Sequence, residues 1–262
     1  MRFIVLGSGT AEPHPKRSSA AFWLATSGGS VLLDCSASAP HRMAQEGLDW
    51  PTLDAIWVSH FHVDHCGGIS PFLFGTKWAT QTVSRKKPLR IFGAAGLKDV
   101  ISKYDAASGN KILDQPFPLE IVEVERLEEF EILDGVRAIP MSTQHTPESS
   151  AIRIEDKDGS TIVYTSDTGF SKEIRSFAKE VDLLVIESSF VKDKPVEKHL
   201  ELAEAMYLIR HAKPKRAMLT HLYAQWDEVD FDVEVKKFEP SCEVIQAFDG
   251  LRLDVSGIVD SE

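Results

Sequence analysis

Two trains of apolar strands, Phe3 to Val58 and Val136 to Ala217, predict an α/β fold built as a four-layer αβ/βα sandwich. Three observations carry that expectation. Strand after strand in both trains ends in aspartate or histidine, as at Asp34, His60, His145, Asp167 and His221. The last third alternates apolar strands with helical stretches, the order of an α/β layer. Apolar residues make up 43% of the 262, enough for a sizeable core.

In chain order, Phe3-Ile4-Val5-Leu6 is a short buried strand ending at Gly7-Ser8-Gly9-Thr10. That glycine pair lacks the third glycine and the following helix of a dinucleotide site. Pro13, Pro15, Lys16 and Arg17 make a stiff basic loop. Alternating Ala20, Phe22 and Leu24, a Gly28-Gly29 turn and Val31-Leu32-Leu33 read as a hairpin. Pro40 to Glu46 is a short helix stopped at Gly47. Ile56-Trp57-Val58 is a buried strand, and Ile69 to Phe74 is helical. Arg85-Lys86-Lys87 reads as a solvated turn before the strand Arg90 to Gly93 and a helix from Ala95 to about Ala107. Ile121, Val122 and Val124 form a strand, and Glu123, Glu125, Glu128, Glu129 and Glu131 a solvated face without calcium-site spacing.

Val136 to Ile139 leads to His145, and the strands around Ile152 and Ile162 turn at Asp156-Lys157-Asp158-Gly159. Leu183 to Ile186 is continuous and apolar, as a strand covered on both faces is. A helix is expected from His199 to about His211, a strand from Ala217 to Thr220, a helix through Phe231, Val235 and Phe238, and two closing strands, Val244–Phe248 and Leu251–Val255.

Chemistry concentrates in Ser59-His60-Phe61-His62-Val63-Asp64-His65-Cys66-Gly67-Gly68. Three histidines and an aspartate in six positions, just past a buried strand, suit zinc, manganese or iron. On a turn, His60 and His62 can face one ion while Asp64 and His65 face another.

Composition sets outer bounds. The net charge of −11, from 29 basic and 40 acidic residues, leaves no basic excess for broad nucleic-acid binding. Cys35, Cys66 and Cys242 are isolated and odd in number, so no disulfide framework is expected. No signal peptide or membrane-length apolar run is seen, and a cytoplasmic protein is expected, with a homodimer left open.

His60-x-His62-x-Asp64-His65, with His145, Asp167 and His221 following in order, resembles the metallo-β-lactamase superfamily. The resemblance covers almost the whole chain and implies one domain over residues 1–262. It implies two divalent metals, zinc first and manganese or iron next. His60, His62 and His145 would hold one metal, Asp64, His65 and His221 the other, and Asp167 would bridge them. Aspartate at 167, where the β-lactamases have cysteine, argues against an antibiotic-hydrolysing enzyme.

Such a pair of cations activates water and clamps the oxygens of an electrophile, which suits phosphodiesters and strained esters. Asp64 is expected to orient the water as well as to bind metal, and Asp34 to accept a ligand's free ring N–H. Gly7 to Pro13 with Arg17, Ser166-Asp167-Thr168-Gly169, and Glu187-Ser188-Ser189-Phe190 followed by His199 and Glu201 resemble the ribonuclease Z-like phosphodiesterases. In that branch a glutamate-supported histidine assists the leaving group. By position this is His199, with Glu187 or Glu201 as its support.

Ribonuclease Z itself carries a tRNA-gripping arm between its third histidine and bridging aspartate. Here a hairpin fills that stretch. The expectation is a phosphodiesterase for a small or cyclic diester. A lactone or thioester hydrolase, a tRNA 3′-processing endonuclease and a non-enzymatic metal-stabilised module are the alternatives. Tyr223, just beyond His221, can contact substrate or only pack at the rim.

Overall fold

A computed structural model describes residues 1–256. The first half runs β1 (Arg2–Gly7), β2 (Ala21–Thr26), β3 (Gly29–Leu33), α1 (Ala39–Gln45), β4 (Ala55–Val58), α2 (Val63–Cys66), α3 (Ile69–Trp78), β5 (Leu89–Gly93), α4 (Leu97–Ser108) and β6 (Leu119–Glu123). The second runs β7 (Phe130–Leu133), β8 (Val136–Ser142), β9 (Ser150–Glu155), β10 (Thr161–Tyr164), α5 (Glu173–Phe177), β11 (Leu183–Glu187), α6 (Leu202–Ala212), β12 (Arg216–Thr220), α7 (Phe231–Lys236) and β13 (Glu243–Gln246). Finally β14 (Arg252–Asp254) returns to pair antiparallel with β1.

Two seven-stranded sheets result, ordered β14-β1-β2-β3-β4-β5-β6 and β13-β12-β11-β10-β9-β8-β7. Each joins an antiparallel part to a parallel part. In the first, β3 to β6 are parallel; in the second, β10 to β13 are. The two-residue period of a strand then divides its side chains between two cores. Phe3, Phe22, Leu24, Leu183 and Val185 point between the sheets. Their neighbours Ile4, Leu6 and Trp23 pack beneath helices on one side, and Leu184 and Ile186 on the other. The order is helices, sheet, sheet, helices, as the paired trains of strands predict.

Local details depart from the sequence reading for identifiable reasons. Helix α6 begins at Leu202, not His199, because Glu201 and Glu204 form a reciprocal capping box that sets its start. Helix α4 begins at Leu97, since Gly96 before it is left-handed at φ 98°. Phe238 lies beyond α7. Strand β7 was not expected: Glu131 and its acidic neighbours read as a solvated face, yet Ile132 and Leu133 turn inward on this edge strand. Arg85 is no solvated turn residue. Its guanidinium donates to the carbonyls of Pro51, Leu53, Lys87 and Pro88 and ties its own segment to the one before β4. Glu123 accepts from the backbone N–H of Gly96 and Lys98 and so caps α4.

Asp182, just before β11, accepts from the N–H and hydroxyl of Thr161 at 2.7 and 2.9 Å and pairs with Lys215 at 2.6 Å. Burial works against its charge, but Lys215 and Thr161 outweigh it and hold the carboxyl below its ordinary range. A depressed folded-state pKa adds stability that is complete above the unfolded value and is lost as pH falls through the folded one. We expect Asp182→Asn to cost about 2 kcal/mol at pH 7. In urea titrations the gap to wild type should close as pH falls below the ordinary value of 3.8. A gap independent of pH would remove the ionic part of this account.

Candidate metal centre

The metal-type residues meet at one edge of the two sheets. His60 follows β4, and the turn into the short α2 presents His62, Asp64 and His65. From the second sheet, His145 follows β8, Asp167 follows β10 and His221 follows β12. Three residues just past strand ends are left-handed although none is glycine: Asp34 at φ 58°, Ser166 at 53° and His221 at 58°. Such turns cost strain, which the surrounding contacts must hold. Here they turn the chain sharply as it leaves β3, β10 and β12.

The donors fall into two main sets, with His199 making a third, overlapping one with Asp167 and His221. His60, His62, His145 and Asp167 form one, and Asp64, His65 and His221 another, each with ligand atoms within 4.8 Å of one another. Asp167 faces both. Its Oδ2 lies 3.8 Å from His60 Nε2 and 3.7 Å from His145 Nε2, while its Oδ1 lies 3.3 Å from both His65 Nε2 and His221 Nε2. Asp64 Oδ2 stands 3.6 and 3.7 Å from the same two nitrogens of the second set. Tetrahedral zinc with arms of about 2.1 Å separates its ligands by about 3.4 Å, so both sets have the size of a metal shell.

Whether a cation fits is tested by the unpartnered atoms. His60 Nε2, His65 Nε2, His221 Nε2 and Asp167 Oδ1 are buried with no hydrogen-bond partner. A buried polar atom left unpaired costs about 1–3 kcal/mol, so four facing one another call for a shared partner. A divalent cation supplies it, and the nitrogen and carboxylate donors suit zinc, manganese or iron.

Outer contacts aim these atoms. His65 Nδ1 bonds Asp34 Oδ2 at 2.7 Å, His145 Nδ1 donates to the Lys198 carbonyl at 3.0 Å, and His221 Nδ1 meets Ser189 Oγ at 3.0 Å. Each fixes one ring nitrogen and turns Nε2 inward. Asp34 therefore acts as expected, and it has further donors in the Ser59 N–H, the Ser59 hydroxyl and the Tyr164 hydroxyl, all at 2.8 Å. Ser59, Ser166 and Tyr164 are missed by sequence reasoning. Ser166 stands within a quoted motif, but Tyr164 reads only as a core aromatic.

The charges follow this geometry. Burial, then the neighbouring His65, pushes His60 down to about 2, which keeps it neutral and able to ligate. Burial pushes His65 down too, but Asp167 and Asp34 reverse this and raise it well above its ordinary value. Burial works against Asp64, yet His221 and His65 bring it down to about 2. Asp167 stays well below the ordinary carboxylate range, because His221 and His65 overcome its burial.

His199 lies before α6, in the segment leading out of β11, and is buried. Its Nδ1 is 2.9 Å from Glu187 Oε1. Glu201, the other expected support, serves the α6 cap. Tyr223 stacks on Phe190 at the edge of the site.

The model of the beta-lactamase superfamily domain matches residues 30–222, which include every donor above. The chain belongs to this superfamily. Relatives named ribonuclease Z are similar along its length. One from Nitrosopumilus maritimus is 26% identical, over 97% of this chain and 100% of its own length. Another from Ignicoccus hospitalis is 25% identical, over 87% of this chain and 90% of its own. Among solved structures, the metallo-β-lactamase fold protein YhfI from Bacillus subtilis superposes with a TM-score of 0.80 at 21% identity, covering 97% of this chain and 99% of that one. Superfamily membership and the donor geometry together make this a metal-dependent hydrolase with a dinuclear site. No helix among the described residues is long and apolar enough to cross a membrane.

Removing a contact that orients a metal ligand costs roughly 10–100-fold in metal affinity. Asp34→Ala should do so through His65, in the set with Asp64 and His221. Competition with a chromogenic chelator measures it. Wild-type affinity at both sites would show that Asp34 serves the fold alone.

Proposed function

We propose that the chain is a phosphodiesterase with two zinc ions, one held by His60, His62 and His145, the other by Asp64, His65 and His221, with Asp167 shared. We read residues 1–262 as one domain. Three free cysteines suit a cytoplasmic location. When bound, adjacent divalent cations polarise phosphoryl oxygens and bring the pKa of water toward neutrality.

The observation that carries this reading is the Glu187–His199 pair beside the donor cluster. His199 has a ring atom within 4.8 Å of donor atoms of Asp167 and His221. Burial alone would lower its pKa, but the bond and charge of Glu187 outweigh it and raise it above 6.5. With Nδ1 held by Glu187, Nε2 is left to give a proton to a departing alkoxide. Cleavage of a phosphodiester with an alkoxide leaving group is speeded by such a proton at the leaving oxygen. Asp64, held near 2, is too weak a base to take a proton at neutral pH, so its second role is to orient water by accepting a hydrogen bond.

Two substrate readings remain, and the relatives favour RNA. Their name, ribonuclease Z, supports RNA cleavage, and with it the tRNA-processing alternative, ahead of the small or cyclic diester expected from the sequence. One observation favours the small diester. The alignment with the Nitrosopumilus protein runs over 307 positions, more than this chain's 262 residues, so that relative has segments absent here. Between His145 and Asp167 the chain has only the β9–β10 hairpin, turned at Asp156–Gly159, and no room for a gripping arm. Rates on a precursor tRNA with a 3′ extension and on a 2′,3′-cyclic nucleotide separate the two.

His199→Ala should lower turnover of a diester with an alkoxide leaving group by roughly 10²–10⁴-fold, and far less for p-nitrophenolate, which leaves unprotonated. Bound metal should stay at wild-type level. The acid form is present below the raised pKa, so wild-type turnover of the alkoxide ester should fall as pH rises through that value. Equal losses on the two esters would end the role.

A further inference from the structure

Phe190 and Tyr223 lie nearly parallel, with ring centroids 4.8 Å apart and planes at 12°. Both are partly exposed, although they border the buried His199 and His221. Neither belongs to, or packs against, any of the three apolar cores. Aromatic rings that serve no core and stay partly open to water beside a catalytic cluster have apolar area to offer a ligand.

The pair is held in place from three directions. Phe190 N–H donates to the Leu200 carbonyl, and its own carbonyl accepts from Leu202 N–H. Tyr223 N–H donates to the Ser189 carbonyl, and its carbonyl accepts from Arg17 Nη2 at 3.4 Å. Arg17 is itself buried and bound through both terminal nitrogens to Asp227 at 2.8 Å. The N-terminal loop is thus fastened beneath the aromatic pair. Gly9 permits this approach, because a Cβ there would meet Arg17 Cβ at 2.8 Å. A platform fixed before binding loses little entropy when a ligand settles on it.

Its position relative to His199 says which part of a substrate it meets. The His199 ring lies 6.5 Å from Phe190 and 6.4 Å from Tyr223, both edge-on, and His221 lies 6.2 Å from Tyr223. The opposite flank, beyond His145, differs in character. There a cavity of about 710 Å³ has a mixed lining, with Gln144, Glu197 and Lys198 beside Pro147 and Phe170. A group that takes a proton from His199 has the two flat rings on one side and this recess on the other, and only the stacked pair offers it a flat face beside both His199 and His221.

We infer that the Phe190–Tyr223 pair is a stacking subsite for a planar heterocycle, the nucleobase attached to the leaving oxygen of the diester. The inference rests on the phosphodiesterase reading and deepens it to nucleotide diesters. Stacking tolerates any base, since each has a π-face, so the subsite selects nucleotides over base-free esters without choosing among bases.

The test compares uridine 2′,3′-cyclic phosphate with the 2′,3′-cyclic phosphate of 1-O-methylribose, which has the same scissile bond and no base. Metal-loaded wild type should favour the nucleotide by about 5- to 150-fold in kcat/KM, the worth of one stacked base, mostly through KM. Phe190→Leu with Tyr223→Leu keeps apolar bulk without the flat face and should abolish the preference. Tyr223→Phe should retain it. Lack of preference in wild type, or an equal loss on both esters in the double variant, would overturn the inference. If neither these esters nor a precursor tRNA is cleaved, the phosphodiesterase reading fails, and equilibrium dialysis of uridine 3′-monophosphate against ribose 3-phosphate still reads the subsite. Preference for the nucleotide in that binding, lost in the double variant, supports stacking, and equal binding overturns it.

Discussion

Asp167 sits where two sheets meet, shut off from solvent, with four imidazole nitrogens around its two oxygens. A carboxylate in such a place is tenable only if positive charge faces both oxygens. The histidines cannot all provide it. Burial and mutual repulsion hold His60 neutral, while Asp34 and Asp167 press His65 toward the charged form. Divalent cations held by these residues would meet the demand and supply the partners that four buried atoms lack. Strand order, left-handed strand ends and the outer hydrogen bonds all serve to place ligands around this carboxylate.

The fold supplies them evenly. One sheet delivers the His60 to His65 turn, and the other delivers His145, Asp167 and His221. Neither half holds a complete shell. One tie between them at depth is Tyr164, which rises from β10 in the second sheet and donates its hydroxyl to Asp34 at the end of β3 in the first. Phe22 packs edge-on against that ring at 5.1 Å, so the inter-sheet core and the hydrogen bonds behind the ligands share a residue. Packing of the sandwich and alignment of the ligands are therefore coupled.

Much of this is legible in the sequence, for a physical reason. Apolar strands and their polar ends are local patterns, and the seven ligand-type residues each follow or adjoin such a strand. What is illegible depends on distant partners. Tyr164 reads as another core aromatic because Asp34 lies 130 positions away. Arg85 reads as part of a basic run, since carbonyls it binds belong to the segment before β4. The start of α6 is misplaced because a histidine that attracts notice stands two positions before the true cap, Glu201. The Phe190–Tyr223 stack joins two loops whose geometry no periodicity encodes.

The central claim is that two metal ions share Asp167, with one set of ligands from each side of it. Crystals grown with zinc and measured at the zinc absorption edge test this directly. The account requires two anomalous peaks, one among His60, His62 and His145, the other among Asp64, His65 and His221, with Asp167 between them. A single peak, or metal bound away from this cluster at full zinc loading, would contradict it.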